Sequence, residues 1–198
     1  MARVSNPKNA KNTETAPKLL RYLLKHRHFS PFEMANMCVE IHTNRAISPQ
    51  ILRHRSFSFQ EFSQRYANTK ELGSALIPHL RRQDNKNRQN STDDLVETLG
   101  PEKLAGFYRR TSQLFEDAEH LYSEMVSAGV AKECARGVLP LNTPTSLYMN
   151  GTIRSYIHYL QVRTDPSTQL EHREIALAIK DIFCKQFPVI GEAVFSDQ

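Results

Sequence analysis

The segment from Arg53 to Tyr66 concentrates side chains that bind anions. Three Arg, three Ser, one His and one Glu fall within fourteen residues. Arginine presents a planar fork of donors that matches pairs of phosphate oxygens, and serine hydroxyls with backbone N–H groups can complete a phosphate cradle. Glu61 can accept from a ribose hydroxyl or hold a guanidinium in place. The histidines nearby lack paired ligands, so no metal site is predicted.

Residue types alone leave three interpretations of this segment open. It can be an ordinary solvated basic surface, a phosphate site for a nucleotide or cofactor, or a nucleic-acid contact face on which Phe57, Phe59 and Tyr66 stack bases. The chain carries 26 Lys and Arg against 21 Asp and Glu, a net charge of +5. This excess suits an anionic small molecule or a nucleic acid without choosing between them.

Length and composition describe a globular chain. With 198 residues, 39% hydrophobic and 24% charged, the chain can form a single domain over 1–198 with a real core. No apolar run approaches the ~20 residues that span a bilayer, and the polar N-terminus lacks the apolar core of a signal peptide. We therefore predict a cytoplasmic protein, or one of the host cytoplasm if the source is viral. The three widely spaced cysteines are predicted to be reduced and mostly buried.

The elements that must position these side chains are predicted to be mainly helices. Apolar periodicity predicts helices at about 17–28, 101–128, 152–162 and 168–187, and shorter ones near 48–55 and 133–136. Alternation over 32–43 predicts a strand. The apolar face of the helix at 101–128 is predicted to lie in the core.

Local signals set the predicted boundaries. Asn150-Gly151 predicts a turn, Thr168 and Glu171 predict a capping box, and Pro188 predicts the end of the last helix. The polar stretch within 67–100 predicts a solvated loop or variable insertion.

The string Arg53-His54-Arg55, followed after seven residues by Ser63, resembles the RHRx7S signature of the flavin-dependent thymidylate synthases. Further blocks resemble that family in the same order, and residues 67–100 lie outside them. The blocks are Ala2-Arg3-Val4-Ser5, His28-Phe29-Ser30-Pro31-Phe32-Glu33, residues 135–142, residues 150–163, and then Gln169, Glu171, His172 and Arg173.

The resemblance implies an α+β fold in which helices pack with an antiparallel sheet, and a homotetramer whose active sites are shared between subunits. It also implies the reaction. Thymidylate (dTMP) is made from deoxyuridylate (dUMP), methylenetetrahydrofolate gives the carbon, NADPH reduces FAD, and the reduced flavin supplies the hydride without a protein nucleophile. Members usually have a strand before the Ala-Arg-Val-Ser block, so we expect either that this strand is absent or that the fold is a compact version.

Positions that match the family carry its predicted contacts. The residues expected to contact FAD are Ser30, Arg53, His54, Arg55, Glu61, Thr152, Ile153, Arg154 and His158, the last four from another subunit. Those expected to contact dUMP are Gln50, Arg53, Glu61, Ser63, Gln64, Arg65, Arg136 and Arg163. Ser63, Arg65 and Arg136 are expected to hold the phosphate. Arg163 is expected to be catalytic, polarising the uracil ring by electrostatic stabilisation. Some members have Asn in place of Thr152 and His158.

Two alternative functions stay open beside the synthase. A basic nucleic-acid-binding protein would bind DNA or RNA in a salt-dependent way and carry no chromophore. A flavoprotein of the same fold could be limited to NADPH oxidation. Within the synthase, Ser63 as a nucleophile is the weaker interpretation, because no histidine is assigned as its base and a phosphate-binding hydroxyl explains it more simply.

Overall fold

The computed structural model describes residues 2–196. The helices of this part of the chain are α1 (Ala16–Lys25), α2 (Ser48–Leu52), α3 (Leu95–Leu99), α4 (Pro101–Ser127), α5 (Lys132–Ala135), α6 (Ile153–Arg163), α7 (Leu170–Gln186) and α8 (Pro188–Phe195). The strands are β1 (Asn36–Asn44), β2 (Phe57–Glu61), β3 (Arg82–Gln83), β4 (Ser91–Thr92) and β5 (Pro144–Thr152). Short 3₁₀ turns include Ser30–Glu33, Thr69–Leu72 and Arg136–Val138.

The main sheet has the strand order β1–β5–β2, and β3 pairs with β4 in an antiparallel hairpin. Hydrogen bonds flanking β1 and β5 run from Arg45 N to Thr143 O and from Ile153 N to Ala35 O. The residue numbers rise on one strand as they fall on the other, so these two strands are antiparallel. The predicted α+β class with helices and an antiparallel sheet is confirmed.

The chain divides into two compact units, which we describe separately. Unit 1 comprises the described parts of 1–39, 54–58 and 149–198, and unit 2 comprises 40–53 and 59–148. The core of unit 1 is built from α6, α7 and α8, with Tyr156, Leu160 and Phe183 fully buried. In unit 2, Ile47 and Ile51 of the α2 region and Leu147 of β5 are buried.

The strand predicted at 32–43 is confirmed as β1, although it begins later. Val39 and Ile41 are buried, whereas Cys38, Glu40 and His42 are exposed, which is the alternation that the sequence shows. Residues Ser30–Glu33 form a 3₁₀ turn with Pro31 at its start instead of the first part of the strand. Proline suits that position because its φ is already fixed and its missing N–H is not needed.

The turn predicted at Asn150-Gly151 is wrong, because both residues lie inside β5. A side chain at position 151 has no room. A Cβ built on Gly151 would lie 2.6 Å from Cε1 of Phe57, closer than any real contact. Gly151 is therefore required by close packing of an aromatic ring and does not mark a turn.

The predicted helices are confirmed, but two of their boundary signals are wrong. The residue preceding α7 is Gln169, and no side chain caps its first turn, since the Thr168 hydroxyl donates to Val162 O instead. Pro188 does not simply end the helical region. α7 ends at Gln186 and Pro188 takes the first position of α8, where a proline is well tolerated.

Three further expectations need correction. The stretch 67–100 holds the β3–β4 hairpin and α3 in addition to loop. Cys38 and Cys134 are exposed and Cys184 is half-buried, so the thiols are not mostly buried. On α4, Tyr122 is buried but Phe107, Leu114 and Leu121 are exposed, so much of its apolar face lies outside the core.

Within residues 2–196, no helix is both long and apolar enough to cross a membrane.

Candidate functional site

A direct hydrogen bond joins the two most informative predicted residues of unit 1. Arg163 lies at the end of α6, and its Nε donates to Nε2 of His54 over 2.8 Å. Because Nε2 accepts this bond, the imidazole of His54 is neutral and carries its proton on Nδ1. Both side chains are half-buried. The terminal nitrogens of Arg163 form no hydrogen bond within residues 2–196.

The electrostatic surroundings favour the neutral form of His54. Burial, followed by the nearby charge of Arg163 and by His158, lowers the pKa of His54 to about 4. The imidazole therefore stays an acceptor at neutral pH, and the guanidinium keeps its charge. An arginine held through Nε still has four N–H donors on its terminal nitrogens, enough to bind two acceptor atoms at once.

A cavity of about 490 Å³ opens in unit 1 beside α6. Arg154 and His158 both line it, as expected for two residues four positions apart on one helix face. Phe29 and Ile157 supply apolar surface, and Ser56 and Gln161 add polar groups. The lining therefore combines an aromatic ring, aliphatic surface, polar groups and the Arg154 guanidinium, which suits a large planar anion.

Glu33 organises the edge of this cavity. Its carboxylate accepts from Arg154 Nη1 at 2.7 Å and from the Thr152 hydroxyl at 2.9 Å. Thr152 is also the N-cap of α6, accepting from Ser155 N at 3.2 Å. The hydrogen bonds from Thr152 and Arg154 hold the pKa of Glu33 below its usual range. Arg154 is thus fixed over the Phe29 ring, 5.7 Å from its centroid.

The remaining predicted flavin residues of unit 1 differ in exposure. Ser30 and Arg55 are exposed, and Ser30 directly follows Phe29 of the cavity. Ile153 is 1% exposed and its N–H donates to Ala35 O, so its side chain belongs to the core and does not line the cavity. These contacts with FAD stay predictions.

In unit 2, Glu61 lies at the centre of a polar cluster. Its Oε1 accepts from the Ser48 hydroxyl at 2.5 Å and from the Thr145 hydroxyl at 3.1 Å, and pairs with Arg45 Nη1 at 2.7 Å. The carboxylate therefore holds a guanidinium, one of the two roles that its position among cations predicts. Arg53, in the same unit, is exposed, and Gln50 is half-buried.

The predicted phosphate residues of unit 2 remain accessible. Ser63 is exposed and Arg136 is half-buried at the start of the 3₁₀ turn after α5. Arg65 is exposed and pairs with Glu133 at 3.3 Å, a contact that a phosphate could replace at little cost. Gln64 differs from these three, because it is 7% exposed and its Nε2 has no hydrogen-bond partner among the described residues. A buried amide donor without a partner is costly unless a ligand accepts from it.

Sequence reasoning missed several residues that organise the site. Glu33 and Phe29 lie in the block around Ser30 that resembles the family, so a signal was available but no role was assigned to them. Arg45 lies outside every matched block. Its pairing with Glu61 depends on how the chain folds, which no local pattern reports.

Comparison with known proteins gives one consistent result. Residues 1–189 match the family described as "Thymidylate synthase complementing protein". The chain is 49% identical over 194 residues to a "Probable flavin-dependent thymidylate synthase" of Paramecium bursaria Chlorella virus 1, covering 98% of this chain and 87% of the relative. It is 51% identical over 193 residues to the "Flavin-dependent thymidylate synthase" of Synechocystis sp., with 98% and 86% covered.

Solved structures agree with the sequence comparisons. The "UMP/dUMP methylase PolB" of Streptomyces cacaoi, determined with 5-Br UMP, superposes with a TM-score of 0.80 at 28% identity. The match covers 94% of this chain and 86% of that one.

Proposed function

The chain belongs to the thymidylate synthase complementing protein family, and from this premise we propose that it is a flavin-dependent thymidylate synthase. It methylates dUMP reductively to dTMP, with methylenetetrahydrofolate as carbon donor and NADPH as reductant. The full-length similarity to enzymes of that name supports this activity over a nucleic-acid-binding role or NADPH oxidation alone.

The observation that carries the proposal is the 2.8 Å bond between Arg163 and His54. It couples the residue assigned to the uracil ring with a residue assigned to the flavin. Arg163 stabilises negative charge that develops on the N3–O4 edge of the ring, and a preorganised cation of this kind contributes roughly 3 kcal/mol. His54 holds that cation in one orientation.

The residues of the unit 1 cavity fit FAD. Phe29 and Ile157 offer surface to a planar ring system, while Arg154 offers a cationic donor and His158 a ring nitrogen to anionic groups. We assign FAD binding to this lining with Thr152 and the backbone of Ile153 from one subunit, and to Ser30, Arg53, His54, Arg55 and Glu61 from another. When bound, FAD supplies the hydride of the reaction.

We assign dUMP binding to the accessible polar groups of unit 2 and to Arg163. Ser63, Arg65 and Arg136 hold the phosphate. Arg65 gives up its ion pair with Glu133 when it binds the phosphate. The unpartnered Nε2 of Gln64 donates to the nucleotide, which removes the cost of leaving a buried donor unpaired. Gln50, Arg53 and Glu61 complete the set.

We also propose that the working form is a homotetramer with shared sites. Phe107, Leu114 and Leu121 lie seven residues apart on α4 and are 39%, 64% and 45% exposed. Such a stripe of large apolar side chains is typical of a surface that another chain covers.

The experiment is transfer of isotopic label from methylenetetrahydrofolate to dUMP by the purified protein loaded with FAD, with NADPH present. We expect labelled dTMP, and UMP offered in place of dUMP tests the nucleotide preference. An absorbance spectrum after desalting checks for flavin bands near ~450 nm. NADPH oxidation without labelled dTMP would favour the flavoprotein alternative, and a protein that retains no FAD would refute the proposal.

A further inference from the structure

A buried tyrosine and a buried histidine lie behind the Arg163–His54 pair. The Tyr159 hydroxyl lies 3.1 Å from Nε2 of His172, and neither residue is exposed to solvent. The Tyr159 ring stands edge-on to the His54 imidazole, with 4.9 Å between centroids, and the His172 ring is 6.4 Å from it. These four side chains, all in unit 1, form a continuous cluster, here called the histidine cluster.

Burying Tyr159 and His172, the two inner residues of the histidine cluster, costs free energy. Nδ1 of His172 has no hydrogen-bond partner within residues 2–196, whichever way the proton is shared with Tyr159. Burial, followed by the charge of Arg163 and by the neighbouring His54, lowers the pKa of His172 to about 4, so the ring is neutral. An apolar side chain at this position would pack without an unpaired nitrogen. Core packing alone therefore does not explain why a histidine stands here.

The outer half of the cluster depends on ring orientation. His54 accepts from Arg163 only through an unprotonated Nε2. Rotating the imidazole by 180° about the Cβ–Cγ bond would place Cε1 where Nε2 now lies. The hydrogen bond from the Arg163 guanidinium would then be lost. The Tyr159 ring packs against the His54 imidazole and limits that rotation. The hydrogen bond between the Tyr159 hydroxyl and His172 in turn limits movement of the Tyr159 ring.

We propose that Tyr159 and His172 are positioning residues that fix the His54 orientation and tautomer, and through His54 the guanidinium of Arg163. This inference rests on the proposed function, in which Arg163 acts on the uracil ring. Residues that orient metal ligands typically change affinity or activity by about 10–100-fold when altered, and we expect a similar scale for residues that orient Arg163. The effect belongs in kcat, because the residues do not themselves contact the nucleotide.

The test compares three changes in the FAD-loaded enzyme. Tyr159→Phe removes only the hydroxyl, and His172→Leu removes the polar ring. For both we expect kcat to fall about tenfold or more, while KM for dUMP and bound FAD per chain stay within about twofold. His172→Gln can still bond the Tyr159 hydroxyl, and we expect it to recover much of the lost kcat.

Tyr156→Phe is the matched control. Tyr156 is a buried tyrosine one turn earlier on α6, and its hydroxyl donates to Met149 O at 2.7 Å, away from His54. It loses one hydrogen bond by the same chemical change, so we expect lower stability with kcat within about twofold of the unaltered enzyme.

A second measurement reads the cluster without turnover. Side-chain NMR of ¹⁵N-histidine-labelled, FAD-loaded protein should show His54 protonated at Nδ1 alone, and a mixture of tautomers in His172→Leu. Normal kcat in Tyr159→Phe and His172→Leu, or a fall in kcat with an unchanged His54 tautomer, would overturn the positioning role. If the unaltered protein makes no dTMP but shows this tautomer response, the proposed function fails and the positioning of His54 stands.

Discussion

Arg163 is the residue on which the proposed chemistry depends most directly. We expect Arg163→Ala to lower kcat/KM for dTMP formation by about 10²–10³-fold, because a preorganised cation near developing negative charge is lost. FAD should remain bound, since the cavity lining Phe29, Arg154 and His158 is unchanged. The measurement is label transfer at varied dUMP together with the flavin absorbance of the desalted variant.

Two further variants are compared with Arg163→Ala in the same measurement. Arg163→Lys keeps a positive charge but loses the Nε donor that bonds His54, so an intermediate loss is expected. Arg21→Ala removes an exposed arginine whose single ion pair, with Glu192 at 2.7 Å, is worth little, and it should leave turnover unchanged. Near-normal turnover by Arg163→Ala would remove Arg163 from the mechanism.

The buried histidine also predicts how stability depends on pH. His172 has a pKa of about 4 in the folded protein against an ordinary value of 6.5. Between these values the unfolded chain binds a proton that the folded chain does not, so the free energy of unfolding falls as pH drops from 6.5 to 4. For one such group the slope is at most roughly 1.4 kcal/mol per pH unit.

Urea unfolding at pH 7, 6 and 5 measures this slope. His54, with its pKa also lowered to about 4, contributes in the same direction, so the unaltered protein should lose stability steeply. His172→Leu removes one of the two groups and should lose less between pH 6.5 and 4. Equal slopes for the two proteins would mean that His172 is protonated as readily in the folded state as in the unfolded one.

At the scale of elements, Phe57 of β2 can pack against β5 because Gly151 has no side chain. Gly151→Ala would place a Cβ against the Phe57 ring, and overpacking of this kind costs about 1–3 kcal/mol. Equilibrium denaturation should show that loss, and adding Phe57→Leu should restore part of it.

Gly106→Ala in the interior of α4, where a Cβ meets nothing within 4 Å, is expected to raise stability by about 0.5–1 kcal/mol.

Sequence patterns predicted the elements whose residues repeat with a clear period. The alternation in β1 and the apolar spacing in α4 and α6 indicated those elements directly. β5 alternates as well, with Leu147 and Met149 buried, but its Asn150-Gly151 pair imitates a turn. What decides between turn and strand is the pairing of β5 between β1 and β2, which come from distant parts of the chain and leave no local signal.

The site was predictable to the extent that its residues lie in short blocks. His54 and Arg163 could each be named from such a block, but they are 109 positions apart, and their hydrogen bond follows only from the packing of α6. The same applies to Glu61, whose partner Thr145 is 84 positions away. Candidate residues could be proposed from local blocks, whereas their hydrogen-bond partners depend on the fold.

At the scale of the whole molecule, the same reasoning explains why α4 was expected in the core. Periodicity shows that a helix has an apolar face, but it does not show what covers that face. Here the helix buries Tyr122 in unit 2, while Leu114 is 64% exposed. A surface that the chain itself leaves uncovered is available to other copies of it.

The proposed homotetramer leads to the last prediction. Leu114→Glu places a charge at the middle of the exposed α4 stripe, and burying that charge between subunits would be costly. Light scattering coupled to size exclusion should give about four times 22.8 kDa for the unaltered protein and a smaller mass for this variant. Because the proposed sites are shared between subunits, dTMP formation should fall with the tetramer fraction. Ala105→Glu adds the same charge on the opposite face of α4, at an exposed position, and should leave mass and activity unchanged. If Leu114→Glu stays tetrameric, the subunits associate through another surface.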